Sequence, residues 1–278
     1  MKLVGIVILY NPSKEIFDIY KNLTEQIDSL IYIDNSDVSN KSILSFFNKK
    51  ENCIYHAMKK NVGLAKALIY GCDMAIKMGY THAILFDQDT WLAKDSIYLM
   101  IKENIKYNAS LISPNIYNLY RDQNNNLKLM ENAIYEKKVR YVDWTITSGS
   151  IIDLNVYNNI GGFDSKLFIG QIDQDYCCKL YKNGYKVLLV GNAFIYQEAG
   201  KIIVHNLFYK RINDPNYTRI RYYYIFRNER YLRKKWRNYY KRQKVHLWKY
   251  LLIIVLYSKN KFSFLYSCIK GWHDGINM

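Results

Sequence analysis

The chain has 278 residues, half of them apolar by type, and 40 Lys and Arg against 24 Asp and Glu, for a formal net charge of +16. That length holds one large domain, or a domain with a C-terminal extension, and the apolar content with only 3 prolines excludes a disordered or low-complexity chain. The five cysteines (Cys53, Cys72, Cys177, Cys178 and Cys268) include no CxxC pair, so the sequence offers neither a disulfide framework nor a zinc site and fits a reducing cytoplasm.

The first apolar run, Leu3 to Tyr10, predicts a strand. It is too short for the apolar core of a signal peptide and leads into Asn11-Pro12 rather than a cleavage site, so export is not expected. A helix is predicted near Ser13 to Gln26, a strand at Ser29 to Asp34, a helix near Lys41 to Asn48 and a strand at Cys53 to His56. A helix from about Gly63 to Met78 then precedes the strand Ala83 to Phe86, which ends in Asp87. This alternation predicts an α/β fold, a mixed but mainly parallel sheet flanked by helices. Such sheets collect ligands at the carboxyl ends of their strands, near a topological switch point. Asn11, Asp34, Asn61 and Asp87 all stand at or just past predicted strand ends, and are expected to converge on one cleft.

From Leu111 the pattern is less regular. Strands are expected at Leu111 to Pro114 and near Val142 to Ile152, with a polar hairpin-like stretch around Asp122 to Asn126 and a turn at Gly161 to Asp164. Asp173 to Asn183 reads as a helix closed by Gly184, followed by a strand at Lys186 to Val190. Beyond His205 the chain is expected to be helical, basic and aromatic. Between Lys201 and Lys249 fifteen Lys or Arg face only Asp214 and Glu229, a field that favours anionic partners: nucleic acid, an anionic membrane or a diphosphate-bearing substrate. The longest apolar run, Tyr250 to Tyr257, is far below the roughly 20 residues that span a bilayer, so any membrane contact would be peripheral.

The chemistry centres on Asp87-Gln88-Asp89, two carboxylates leaving an apolar strand toward one cleft. A hard cation such as Mg²⁺ or Mn²⁺ takes oxygen ligands, commonly one or two carboxylates completed by substrate phosphate oxygens. An isolated Asp-x-Asp is a weak pattern, and its position after the strand is what gives it weight.

With the segments Ile8 to Pro12, Ile33 to Ser36, Asn61 to Ala67, the Asp-Gln-Asp block, Ser148 to Ser150, Gly161 to Asp164 and Phe168 to Cys177, the chain resembles inverting family-2 glycosyltransferases of the GT-A fold, within them the bacterial rhamnosyltransferase-like group. The resemblance implies a catalytic domain over 1–205, its donor half about 1–110 and its acceptor half about 111–205, with a helical basic extension over 206–278. It implies donor contacts from Tyr10, Asn11, Asp34, Asn61, Gly63, Lys66, Asp87 and Gln88, with Lys66 standing where an arginine is expected. Asp89 is implied as ligand of Mn²⁺ or Mg²⁺, joined by His205. Asp173 is implied as the general base that activates an acceptor hydroxyl, with acceptor contacts from Ser148, Gly149, Asp175, Arg219 and Arg227. Asp175 lies two residues on, about 200° around the helix, and is expected to do a different task from Asp173.

The implied reaction transfers rhamnose from dTDP-rhamnose to a hydroxyl of a polyprenyl-diphosphate-linked or other saccharide in surface polysaccharide synthesis. A UDP-hexose or UDP-galactofuranose donor is the runner-up, and a non-catalytic nucleotide-sugar or lipid-binding protein a further alternative. No nucleic-acid-binding module is recognisable, so the basic aromatic stretch Arg219 to Trp236 is read as serving an anionic membrane surface, on the inner face of the cell membrane. His246 to Trp272 would lie on the bilayer, pack as a helix or form a homodimer contact.

Overall fold

The structure, a computed structural model, describes residues 1–121, 127–130, 138–198, 200, 202–207, 210–240 and 245–278. The first half alternates as β1 (Leu3–Leu9), α1 (Ile16–Thr24), β2 (Leu30–Asp34), α2 (Lys41–Phe47), β3 (Cys53–Ala57), α3 (Leu64–Lys77) and β4 (His82–Asp87). Then come β5 (Thr90–Leu92), α4 (Ser96–Tyr107), β6 (Leu111–Arg121), β7 (Leu127–Leu129), β8 (Val139–Tyr141), β9 (Ile151–Asp153), α5 (Leu154–Asn159), α6 (Ile172–Lys182) and β10 (Val187–Glu198). The chain closes with β11 (Ile203–Leu207), β12 (Lys210–Asp214), α7 (Arg219–Lys235), α8 (Leu247–Tyr257) and α9 (Lys261–Asp274).

The main sheet runs β3-β2-β1-β4-β9-β6-β10-β5, with β7 on β6 and β8 on β10. β1 to β4 are mutually parallel, β9 is antiparallel to both neighbours, and β6 and β10 are parallel to each other. It is thus the mixed, mainly parallel sheet with helices on both faces that the alternation implied. Two faces of β1 explain why its run is apolar throughout. Ile6 and Ile8 pack with Ile31, Ile33 and Leu85 under α3, while Val7 and Leu9 pack with Leu30, Tyr32, Ile84 and Phe86 under α1, α2 and α4. Each fully buried Ile or Leu in these layers contributes roughly 1.5–3 kcal/mol. The small face of α3 (Ala65, Ala67, Cys72 and Ala75) lets that helix sit close to the strands.

Three expectations need correction. Of the strand expected near Val142 to Ile152 only the end is a strand, β9, preceded by a single parallel bridge of Ser148 with Leu85; the chain turns over Thr147 to Ser150, with Ser150 N donating to Thr147 O at 2.9 Å and Gly149 at φ 73. The region past His205 is not helical at once: β11 and β12 form an antiparallel hairpin, pairing His205 with Ile212, before α7 begins. The boundary drawn at 205 and 206 therefore falls inside β11. The hairpin-like stretch around Asp122 to Asn126 lies outside the described residues.

α7 is built into the body by one face. Tyr224, Asn228, Tyr231 and Lys235, spaced three and four apart, all reach the segment from Asp164 to Gly170 that leads into α6. Glu229, fully buried, accepts from Arg233 Nε (2.7 Å), Tyr240 Oη (2.8 Å), Gln171 Nε2 (2.9 Å) and Val245 N (3.2 Å), so its charge is shared among four donors. α9 backs α7 so closely that a side chain at Gly271 would strike the Tyr223 carbonyl.

Candidate active site

The strand order reverses between β1 and β4, since β2 and β3 extend the sheet on one side of β1 and β4 lies on the other. Side chains gather at that switch point, on the carboxyl edge. Tyr10 N donates to Gln88 Oε1 at 2.8 Å, tying the loop after β1 to the loop after β4. Asn11, at φ 46, donates its N–H to Ser36 Oγ at 2.7 Å. Asn35 Nδ2 donates to Asn61 Oδ1 at 3.1 Å, which also accepts from Gly63 N at 3.0 Å. Asn11, Asp34, Asn61 and Asp87 are thus joined around one edge.

Gly63 sits at φ 88 and ψ 155, where the chain enters α3. A Cβ there would lie 2.6 Å from the Phe168 ring and 2.7 Å from its carbonyl oxygen, which already accepts from Leu64 N at 2.6 Å. Only glycine fits this contact, and through it the start of α3 touches the segment that carries Asp173.

Three carboxylates define the centre. Asp87 Oδ2 accepts from Gln197 Nε2 at 2.7 Å, and its N–H donates to Ser148 Oγ at 3.3 Å. Burial raises its pKa, against the Gln197 hydrogen bond and the nearby Arg221 charge. Asp89 is pushed up to about 7, first by burial and then by the Asp87 charge. Its Oδ1 is buried without a hydrogen-bond partner, and it lines a recess of about 170 Å³ with Pro12, Ser13, Gln88, Trp91 and Glu198. Asp173, in the first turn of α6, accepts through Oδ1 from Thr147 Oγ1 (2.8 Å) and Thr147 N (3.2 Å). Burial moves it up to about 6, against those hydrogen bonds, with the Asp87 charge adding to the rise. Asp173 therefore senses the Asp87 charge, and both acids sense the same Arg221.

The other expected site residues divide. Tyr10 is 46% exposed beside the cleft, and Lys66 is exposed in the first turn of α3. Asp34 is fully buried with both oxygens taken, Oδ1 by Ser36 N (3.0 Å) and Ser36 Oγ (2.5 Å) and Oδ2 by Tyr55 Oη, so it organises the turn after β2 rather than offering a free acceptor. Ser148 Oγ joins Thr90 Oγ1 at 2.8 Å and Gly149 N donates to Leu85 O at 2.6 Å, which stitches this turn to the end of β4.

Asp175 faces away from Asp173, as the helical angle required, but not toward an acceptor. It is fully buried, its Oδ1 accepting from Lys235 Nζ and Trp236 Nε1 at 2.6 Å each. Arg219 donates to Ser263 Oγ at 2.6 Å, and Arg227 donates to Lys166 O at 2.8 Å while lying over the Tyr224 ring. Both arginines bind α7 to its surroundings. His205 Nε2 is 3.3 Å from Asp214 Oδ2 and its ring stacks on Tyr257 at 3.8 Å, contacts within the C-terminal region. Among the described residues, no three His, Cys, Asp or Glu side chains group to hold a metal ion.

Sequence reading passed over Gln197, Thr147 and Arg221. Gln197 and Glu198 close an apolar strand as Asp87 does, the signal that would have exposed them. Thr147 adjoins the singled-out Ser148, and Arg221 stood unassigned among the basic residues of α7.

The model of glycosyl transferase family 2 matches residues 6–169, which is more than half of the chain and includes both Asp87 and Asp89. The chain belongs to glycosyl transferase family 2. The chain is similar to the dTDP-rhamnosyl transferase RfbF of Shigella flexneri, 23% identical over 286 residues, covering 98% of this chain and 94% of the relative. Among solved structures, S. aureus TarS 1-349 in complex with UDP-GlcNAc matches with a TM-score of 0.64 at 14% identity, over 100% of this chain and 81% of that one. GalNAc-T7 with UDP, GalNAc and Mn²⁺ matches with a TM-score of 0.57 at 14% identity over 71% of this chain, which spans 43% of that protein. These likenesses establish the GT-A fold, and the family makes the protein a glycosyltransferase.

Proposed function

We propose that this family 2 glycosyltransferase moves rhamnose from dTDP-rhamnose, with inversion, onto a hydroxyl of a lipid-linked saccharide in surface polysaccharide synthesis. The observation that carries the mechanism is the placement of Asp173, held by Thr147 with its pKa pushed up to about 6, within reach of the Asp87 charge, the neighbouring Ser148 being bonded to Asp87 at the end of β4. A base of that pKa is ionised near neutral pH yet basic enough to take a hydroxyl proton as the hydroxyl attacks the anomeric carbon. Likeness to RfbF over 98% of the chain supports the choice of sugar.

A divalent ion, Mn²⁺ or Mg²⁺, fits the donor side. The partnerless buried Asp89 Oδ1 is an orphan oxygen that a hard cation would satisfy, with Asp87 beside it and phosphate oxygens completing the ligand set. When bound, the ion supplies positive charge to the departing diphosphate. The chain's own residues do the rest: Gln197 holds Asp87, Thr147 aims Asp173, and Gly63 lets the Phe168 backbone close against α3.

The same reading sets the enzyme on the inner face of the cell membrane, its C-terminal helices against anionic lipid. Trp248, Leu252, Val255 and Leu256 of α8 and Phe262, Tyr266 and Ile269 of α9 are exposed, with Lys249, Lys259, Lys261 and Lys270 exposed among them. Among the described residues no helix is long and apolar enough to cross a membrane. Donor hydrolysis and transfer measured over dTDP-, UDP- and GDP-sugars, each with Mn²⁺ or Mg²⁺, should favour dTDP-rhamnose; preference for a UDP-hexose or UDP-galactofuranose rejects the sugar assignment. Flotation with anionic liposomes should detect binding that weakens with salt, and a salt-insensitive dimer without flotation would assign the helices to self-association.

A further inference from the structure

One face of α7 carries Arg221, Tyr224, Asn228, Tyr231 and Lys235, each three or four residues from the next. Four of the five are spent on the segment before α6. Tyr224 stacks on Phe168 at 5.0 Å, Asn228 Nδ2 donates to the carbonyls of Ile169 (3.0 Å) and Gly170 (2.9 Å), Tyr231 Oη donates to Asp164 (2.7 Å), and Lys235 pairs with Asp164 and Asp175 at 2.6 Å each. Arg221, the first of the row, is placed by the same docking but is not spent.

Its N–H caps onto Thr218 Oγ1 at 3.3 Å, and its guanidinium carbon lies 5.5 Å from the Tyr217 ring centre. The same carbon is 3.9 Å from where a Cβ on Gly170 would stand, three residues before Asp173. Its Nε is buried without a hydrogen-bond partner, and among the described residues no carboxylate stands in ion-pair contact with it. Asp87 and Asp173 both feel its charge.

A guanidinium stays charged at any working pH, and a buried donor on a cation is costly to leave unmatched. An anion would satisfy such a donor. Planar donors of this kind match phosphate oxygens better than a lysine ammonium does.

We propose that Arg221 is a substrate-binding residue that grips a diphosphate in the catalytic cleft, carried there by the C-terminal helix rather than by the strand-end loops. This rests on reading the Asp87–Asp89 end of β4 as the donor site. The diphosphate comes either from the nucleotide sugar or from a prenyl-diphosphate acceptor. With the nucleotide sugar, Arg221 faces the group that leaves; with the lipid carrier, it anchors the saccharide to be extended.

The test uses the full chain, wild type and the variants Arg221→Gln, Arg221→Lys and Asp89→Ala, titrated by calorimetry with dTDP, with UDP and with a short prenyl diphosphate, with and without Mn²⁺. Arg221→Gln should weaken one class of diphosphate by roughly ten- to a hundredfold, the loss expected for a charged hydrogen bond, with Arg221→Lys recovering part of it. The ligand-free melting temperature of Arg221→Gln should stay level or rise, because an unmatched buried donor is removed; a merely structural arginine would lower it. Loss confined to dTDP and UDP assigns the donor diphosphate, and loss confined to the prenyl diphosphate assigns the acceptor. Unchanged binding of all three by Arg221→Gln, while Asp89→Ala loses nucleotide, overturns the role of Arg221 and leaves the donor site standing. Wild-type protein that binds none of the three overturns both.

Discussion

Asp175→Ala separates two meanings of an acid next to a catalytic helix start. Asp175 is fully buried and its Oδ1 holds Lys235 Nζ and Trp236 Nε1 at 2.6 Å each. Removing one member of a buried ion pair costs roughly 3–5 kcal/mol. Two features place this site at the lower end of that range. Lys235 keeps its second carboxylate, Asp164 at 2.6 Å, and its side chain is 23% exposed, so its charge is not stranded. The Trp236 indole N–H is left without its acceptor, a loss of about 1–3 kcal/mol within that total. A net cost of about 3 kcal/mol follows, equivalent to a fall of roughly 5 °C in melting temperature for a chain of 278 residues. Asp175→Asn, which keeps an acceptor oxygen, should lose less. Thermal melts and urea titrations would measure the stability, and acceptor KM at a temperature where the variant is folded would measure the site. The melting temperature should fall with acceptor KM unchanged; an unchanged melting temperature with a raised acceptor KM would refute the structural role and return Asp175 to the acceptor site.

Asp173→Asn should lower kcat by roughly 10²- to 10⁴-fold with donor binding retained, as for loss of a general base. Because the base acts only when ionised and its pKa is pushed up to about 6, wild-type kcat/KM should fall as pH drops through about 6 and level off above it; a profile flat down to pH 5 would exclude Asp173. The proton on Asp89, held up to about 7, competes with metal, so apparent Mn²⁺ affinity should weaken as pH falls below about 7, and Asp89→Asn should abolish that dependence in a metal titration. Gly63→Ala combines a positive φ of 88 with a Cβ 2.6 Å from the Phe168 ring. It should cost about 2–5 kcal/mol and lower activity by displacing the approach to Asp173, visible in a melt and a rate assay together.

The first half of the chain was legible because its signals are local. Strands buried on both faces read as unbroken apolar runs, and β1 to β4 with their helices fall within a few residues of the predicted spans. The chain past β5 was less so. The β11–β12 hairpin is short and basic, and charge masked its pairing; the turn at Thr147 to Ser150 interrupts a run whose β-branched residues favour a strand. Side-chain partners were hidden for a different reason, distance along the chain. Gln197 meets Asp87 across 110 residues, and no spacing rule connects them. Helical geometry did separate Asp173 from Asp175, but what Asp175 faces depends on where α7 docks, and α7 begins more than forty residues later.

The environments of the three acids carry the argument for separate roles further than their positions do. Asp87 has a neutral amide donor and lies beside the acid that it perturbs, so it is already partnered and suited to hold polar sugar or ribose groups. Asp89 keeps one buried oxygen without a partner, a cost that a bound cation relieves and that a hydrogen-bonding role in the free enzyme would not leave. Asp173 spends one oxygen on Thr147 and has its pKa raised by burial and by Asp87. If a cation binds between diphosphate and Asp89, the added positive charge lowers the pKa of Asp173 as well, so the acid limb of the transfer rate should move to lower pH as Mn²⁺ is added. A limb that stays fixed from low to saturating Mn²⁺ would mean that the metal and the base do not share the cleft.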